Sequence, residues 1–195
     1  WGLTETSPFA TSNHESIYKL GSVGKPIPGV EVKIINPDPK NSYGEVCVRG
    51  HNVMKGYWNK PEETAEAIDK NGWFHTGDIG YIDLDKHLFI VDRLKDMINV
   101  GGEKAWPAEI EKIILQHPDV AEIGVVGVTH PEMGEVPKAF VVAKTPALTK
   151  EDIHYFLDNP EPKLMKHEFP REIDFIEKLP RNPSGKILRK ELRGK

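Results

Sequence analysis

The sequence predicts an α+β protein in two parts: a β-rich, barrel-like first part and a small, compact α+β second part. Three observations carry this. Short apolar runs separated by turn residues recur from Gly21 to Val91. From Pro107 onward, helix-like and strand-like patterns alternate instead. Charge also changes at the junction, with 9 basic and 13 acidic residues up to Asp92 and 17 of each from Arg93 on. The two parts are expected at 1–92 and 93–195.

Residues 1–19 are rich in Ser, Thr and Gly, lack periodicity and read as a loop. Val30, Val32, Ile34 and Ile35 mark a strand that stops at Asn36-Pro37, and Glu45–Arg49 alternates as a second. Pro61-Glu62-Glu63-Thr64 starts a short helix, its acids placed at the positive end of the helix dipole. Asn71-Gly72 signals a turn before a strand through Trp73–Ile82. Asp83–Lys86 turns the chain into a returning strand at Leu88–Val91. In the second part Pro107 opens a helix whose apolar side is Ala108, Ile110, Ile113, Ile114 and Leu115, ending near His117-Pro118. Strands follow at Val120–Val128 and Pro137–Lys144, with a loop at His130–Gly134 between them. Thr149 caps a helix through Leu157. A strand at Glu172–Glu177, a loop at Pro180–Gly185 and a terminal helix or turn at Lys186–Leu192 complete the chain. Glu161-Pro162-Lys163-Leu164 is less regular than its surroundings.

Composition narrows the function. Charged residues are 29% and hydrophobic ones 38% of 195 residues, as in a soluble globular protein. No apolar run approaches the roughly 20 residues that span a bilayer, and there is no signal-peptide pattern at the start. The chain begins at Trp1, inside a motif, so an upstream part is expected to be missing. A single cysteine, Cys47, excludes an internal disulfide and agrees with a reducing, cytoplasmic location; set in an apolar strand pattern, it reads as packing. The last eighteen residues carry seven basic residues against Glu191, a tail suited to nucleic acid, an anionic small ligand or a solvated helix end. Without interleaved aromatics, single-strand stacking is not supported. The eight histidines show no metal-ligand spacing, so no tightly bound metal is expected.

The chemistry concentrates in a few places. Asp92–Glu111 (DRLKDMINVGGEKAWPAEIE) joins a charged cluster, a short strand, a glycine pair and a helix start. The glycines permit positive φ and close backbone approach to a ligand, and the stretch is either a binding loop or a structural strand–turn–helix. Thr4, Glu5 and Thr6 suit phosphate and Mg²⁺, or a helix cap. Asp78 in HTGD can accept the hydroxyls of a ribose, or form an Asx-turn. Lys186, after Ser184-Gly185 on a loop stiffened by Pro180 and Pro183, can reach anionic oxygens as a mobile point charge, or is a surface lysine after a turn.

In one order stand WGLTE (1–5), GEVCVRG (44–50), FHTGD (74–78), the Asp92–Glu111 stretch and PSGKILR (183–189). This series resembles the AMP-forming acyl-CoA synthetases of the adenylate-forming superfamily, which includes firefly luciferase and peptide-synthetase adenylation domains. INVGGEK (98–104) with PSGKILRKELR looks most like the medium- and long-chain fatty acid branch. The resemblance implies that 1–92 is the end of the large adenylation domain, with its active-site loop and β-barrel subdomain. It implies that 93–195 is the small mobile C-terminal domain.

The resemblance also implies roles. A carboxylic acid attacks the α-phosphate of ATP, and CoA then displaces AMP. Thr4 contacts the α-phosphate region and Glu5 helps hold Mg²⁺. Asp78 and Arg93 bind the ribose, and Lys104 touches phosphate. Lys95 is the hinge, Gly101 and Gly102 approach the pantetheine arm of CoA, and Lys186 is the catalytic cation of adenylation. Asn99 stands where luciferases carry a second catalytic lysine, which argues against an oxidative half-reaction. ATP, Mg²⁺, CoA and a carboxylic acid, expected to be a fatty acid, are the small-molecule substrates and cofactors that the resemblance implies, with no nucleic acid partner and no transmembrane segment. The phosphate loop and acyl pocket are expected upstream of Trp1, so this chain alone is expected to be inactive. A carrier protein's phosphopantetheine is the alternative acceptor.

Overall fold

A computed structural model describes residues 1–158 and 164–194. Glu161–Lys163, part of the irregular segment noted above, and Lys195 of the basic tail lie outside the described residues. The chain divides into two compact units, Trp1–Lys95 and Asp96–Lys195.

The first unit is built on an antiparallel meander of β3 (Val30–Ile35), β4 (Gly44–Gly50), β5 (Phe74–Ile82) and β6 (Leu88–Arg93), in that order across the sheet. The sheet buries Val46, Cys47, Val48, Phe74, Ile79 and Leu88. A small ribbon of β1 (Thr11–Ser12) and β2 (Lys25–Pro26) joins the β6 edge, where Val23 N–H donates to Leu88 O at 2.8 Å and Leu88 N–H to Gly24 O at 2.9 Å. From there the chain runs directly into β3 on the opposite edge. The sheet is thus β-rich and partly wrapped, and its four strands do not close into a barrel. Two irregularities bend β5: the register shifts between Glu45 and Cys47 against β4, and between Ile79 and Gly80 against β6. Bulges of this kind re-aim side chains. Helix α1 (Pro61–Ala67) has Pro61 at its first turn and packs at β5. Residues 1–19 are not wholly irregular, because Thr4–Thr6 and Glu15–Ile17 form single 3₁₀ turns.

The second unit is a five-stranded sheet. β9 (Val120–His130) and β10 (Gly134–Ala143) form a long hairpin, extended beyond the apolar runs because pairing continues to His130↔Gly134. β10 also pairs in parallel with β11 (Glu172–Phe175) and antiparallel, at Gly134↔Val100, with β7 (Ile98–Val100), which turns into β8 (Glu103–Ala105). Helices α2 (Pro107–Ile114) and α3 (Lys150–Asp158) cover one face with Ile110, Ile114, Ile153 and Leu157, over Ile123, Val125, Ala139 and Val141. On the other face Leu192 of α4 (Arg189–Arg193) and Leu179 pack on Val126 and Phe140. Gly124 makes room for them, since a Cβ there would lie 2.9 Å from Leu192 Cδ1. α2 is shorter than its apolar pattern. After Ile114 the bonds Gln116 N–H to Ile113 O and His117 N–H to Ile114 O (both 3.0 Å) tighten the last turn, and Leu115 points to solvent. Thr149 caps α3 as expected, its Oγ1 accepting Asp152 N–H at 3.1 Å while Asp152 accepts Thr149 N–H at 2.9 Å.

One buried charge sits in this sheet. Lys138 is 9% exposed, and its Nζ lies 2.9 Å from Asp174 and 3.2 Å from Glu172. Hydrogen bonding to Asp174 raises its pKa, offsetting the desolvation that acts the other way. Among the described residues no helix is long and apolar enough to cross a membrane.

A Cβ on Gly80 would lie 2.4 Å from the carbonyl oxygen of Phe89 in the paired strand. Gly80→Ala is therefore expected to force β5 and β6 apart and to lower stability by about 1–3 kcal/mol, the usual cost of overpacking. An unchanged urea midpoint would contradict this.

Candidate functional site

In the first unit the β5–β6 register sets Asp78 directly opposite Arg93. Asp78 is 6% exposed, and each carboxylate oxygen has a partner. Trp1 Nε1–H donates to Oδ2 at 3.0 Å, and Arg93 Nε lies 3.5 Å from Oδ1. Thr76 makes a local turn bond here: its Oγ1 accepts Asp78 N–H at 3.0 Å while donating to Val46 O at 2.7 Å. Gly77 between them has φ of 68°, which an L side chain adopts at a cost. Its N–H donates to Glu45 Oε1 at 3.1 Å. The turn that aims Asp78 is thus held from β4.

Next to this turn is a cleft of about 450 Å³ lined by Leu3, Glu5, Thr76, Gly77, Arg93 and Lys95, among others. The Thr4-Glu5-Thr6 turn splits the two readings of its sequence. Thr6 is buried and caps locally, with Leu3 N–H donating to its Oγ1 at 2.8 Å. Thr4 is exposed, and Glu5 faces the cleft with Oε1 accepting from Tyr57 Oη–H at 3.1 Å. Lys95 lies in the 3₁₀ turn Leu94–Asp96 with its side chain exposed. The structure therefore brings together Glu5, Asp78, Arg93 and Lys95, with Thr4 beside them in sequence.

The second unit holds the other candidates. Gly101 and Gly102, with φ of 58° and 94°, form the two-residue turn of the β7–β8 hairpin. Asn99 Oδ1 accepts Gly102 N–H at 3.0 Å, and Gly101 N–H donates to Met133 O at 2.8 Å. A Cβ on Gly101 would meet Met133 at 2.9 Å, whereas Gly102 faces open space. Only Gly102 thus offers bare backbone to an approaching group. Lys104 is exposed on β8, and its carbonyl is 3.2 Å from His167 Nε2.

Lys186 is exposed at the tip of an ordered hairpin. Asn182 organises this loop: its Oδ1 accepts Lys186 N–H and Ser184 Oγ–H, both at 2.8 Å, and its own N–H donates to Lys186 O at 3.0 Å. Two arginines anchor the loop's ends. Arg181 donates to Gly185 O at 2.6 Å and to Glu122 at 2.7 Å. Arg189 forms a two-pronged pair with Glu111 and donates to Val125 O at 2.7 Å, while Glu111 also accepts Val125 N–H at 2.7 Å. Sequence reading singled out Lys186 but not Asn182, Arg181 or Arg189, nor Trp1 as a partner of Asp78. Asn182 carried a local signal, being four residues before Lys186 in a Pro-flanked turn. The Trp1 and Glu111 pairings span 77 and 78 residues and carried none.

Comparison with known proteins places the chain. Family models match residues 1–58 as "AMP-binding enzyme" and 109–186 as "AMP-binding enzyme C-terminal domain". Among curated relatives, 4-coumarate–CoA ligase 1 of Arabidopsis thaliana is 42% identical over 100% of the chain and 36% of its own length. A long-chain-fatty-acid–CoA ligase of Escherichia coli is 45% identical over 99% of the chain and 35% of its length. Among solved structures, ATP-bound MatB from Rhodopseudomonas palustris superposes with TM-score 0.90 at 36% identity, over 99% of the chain and 39% of that protein. The chain belongs to the AMP-forming acid–CoA ligases of the adenylate-forming, ATP-binding family. It spans little more than a third of the length of the relatives it matches.

Because Asn182 Oδ1 holds the Lys186 amide, Asn182→Ala is expected to speed hydrogen exchange at that amide about tenfold, the equivalent of one lost hydrogen bond. Equal exchange in both proteins would show that the loop is held elsewhere.

Proposed function

We propose that this chain carries part of the nucleotide and acyl-transfer machinery of an enzyme that joins a carboxylic acid to CoA through an acyl-adenylate. The observation that carries this reading is Asp78, buried, paired with Arg93 and poised beside the cleft that Glu5 and Lys95 line, in a chain whose relatives are acid–CoA ligases.

In the first half-reaction a carboxylate oxygen attacks the α-phosphorus of ATP and pyrophosphate leaves. In the second the CoA sulfur attacks the acyl carbonyl and AMP leaves. Asp78 accepts the ribose hydroxyls, its carboxylate held in place by Trp1 and Arg93, so its orientation is set before the nucleotide arrives. Thr4 lies against the α-phosphate. Glu5 fits a Mg²⁺ that arrives with ATP, because this ion takes one or two carboxylates plus phosphate oxygens and, among the described residues, only Oε1 of Glu5 is engaged, by Tyr57. When bound, the ion offsets phosphate charge.

Lys186 supplies the second positive charge. Both the attacking and the attacked groups of adenylation are anionic, so an ammonium there lowers that barrier. Its exposure at the tip of a braced loop supports the role, and so does the lack of an ion-pair partner among the described residues. Lys104 serves as a further phosphate contact. Lys95 acts as the hinge, and the division between the units directly after it supports this. Gly101-Gly102 meets the pantetheine arm of CoA. The acid itself is read as a medium- or long-chain fatty acid, from INVGGEK and PSGKILRKELR.

The test uses a polypeptide of the relatives' full length, with Mg-ATP and acids from acetate to palmitate, benzoate and 4-coumarate. AMP release that needs CoA, with medium or long chains preferred, supports the reading. Preference for 4-coumarate overturns the fatty acid assignment, and pyrophosphate exchange without CoA turnover points to a carrier-protein acceptor. Lys186→Ala is expected to slow adenylation about 10²–10³-fold, the scale of losing one transition-state charge partner. Thioester formation from supplied acyl-adenylate should fall far less, and equal losses in both halves would remove Lys186 from its proposed role.

A further inference from the structure

Three metal-ligating side chains, none of them among the cleft-lining residues named above, come together in the first unit. Cys47 on β4 is paired with His75 on β5, and Glu45 lies two residues before Cys47 on the same face of the sheet. The Cys47 sulfur is 3.8 Å from His75 Nδ1, and Glu45 Oε2 is 3.1 Å from that same nitrogen. One oxygen, one sulfur and one nitrogen lie within 4.8 Å of one another.

A Cys–His–carboxylate set suggests first a nucleophile relay, but the geometry does not fit one. A relay needs the thiol on one ring nitrogen and the carboxylate on the other. Here both face Nδ1. Burial, with the Glu45 charge next, also pushes the Cys47 thiol up to about 12, far from an activated thiolate. What the arrangement does instead is bring an oxygen, a sulfur and a nitrogen of the metal-ligating kind within 4.8 Å of one another. Tetrahedral zinc with bonds of about 2.3 Å to sulfur and about 2.0–2.2 Å to nitrogen and oxygen sets S···N near ~3.5 Å and N···O near ~3.3 Å. Both observed separations fall within roughly 0.3 Å of these values, and the sulfur and the carboxylate oxygen lie within 4.8 Å of each other.

We propose that Glu45, Cys47 and His75 form a site for a borderline-soft divalent ion of the zinc class, with water as fourth ligand. On binding, the Cys47 S–H bond breaks and its proton goes to solvent. The Glu45–His75 hydrogen bond is replaced by one oxygen–metal and one nitrogen–metal bond: the Nδ1 proton is released to solvent and Nε2 carries one instead, so His75 binds as the neutral Nε2–H tautomer. A second polar group already orients the carboxylate, since Glu45 Oε1 accepts Gly77 N–H. His75 and Glu45 are 30% and 17% exposed in their side chains and give the ion a path that buried Cys47 does not. Lys33 and Asp69 are the other charges that bear on the thiol. The Lys33 ammonium, whose charge acts to lower the Cys47 pKa, is engaged over the Trp73 ring at 4.0 Å. The other cluster of this kind among the described residues, Asp83, Asp85 and His87, differs on this point, because Lys19 Nζ sits 2.5 Å and 3.0 Å from its two carboxylates and takes the cation's place. Neither the acid–CoA ligase activity nor any nucleotide is needed for this inference.

Cobalt(II) tests it directly on the unaltered protein. The chain has one cysteine, so thiolate-to-cobalt charge-transfer absorption can report only Cys47. The expected result is that band at one equivalent, with tetrahedral visible transitions, both abolished by added zinc. Glu45→Gln and His75→Ala should each weaken cobalt binding by at least about tenfold, the loss that even outer-shell changes produce. Zinc should raise Tm in the wild type and not in Cys47→Ser. Cobalt bound without the charge-transfer band, or a band indifferent to both variants, overturns the site.

Discussion

Strand register in the first unit is the constraint on which its chemistry depends. Asp78 is at the end of the useful pairing of β5, and the shift between Ile79 and Gly80 decides which residue of β6 stands opposite. A slip of one residue would send Arg93 to the other face of the sheet. Gly80 permits the close strand approach, and the buried Val46, Ile79 and Leu88 hold the register, because one face must stay in the core. The polar turn Thr76–Asp78 is then fixed from β4 through Val46 O and Glu45. Pairing, packing and site geometry are therefore one arrangement here, and a change to any of them reaches Asp78.

The second unit solves a different problem. The role proposed for Lys186 asks that its backbone be held while its side chain stays free. The Lys186 loop meets this with local bonds to Asn182 and with two arginine anchors. The Arg189–Glu111 pair is 18% and 13% exposed, so solvent screens it little. Such a pair adds little net stability against an apolar substitute, yet removing one partner strands the other. Its value is in placement: it ties the chain just after the loop to α2 and to the β9 backbone.

Buried polar groups follow the same logic elsewhere. Lys138 is tolerated in the sheet because the parallel β10–β11 pairing brings Glu172 and Asp174 to it. Cys47, Glu45 and His75 are neighbours for a like reason, across strands rather than along the chain.

Much of this was legible in the sequence. Alternating apolar residues located β3 to β6, Pro107 the start of α2, Thr149 the cap of α3, and Gly101-Gly102 a positive-φ turn, because neighbouring residues alone set backbone preference and periodicity. The ordered motifs sufficed for the family, since each is a contiguous run. What only the tertiary structure decided were the partnerships. Trp1 on Asp78, Glu111 on Arg189 and His75 beside Cys47 join residues 77, 78 and 28 positions apart. The eight histidines showed no ligand spacing along the chain, yet one of them meets a thiol and a carboxylate once β4 and β5 pair. Such meetings are fixed by which faces bury together and in what register, and no local run of residues records that choice.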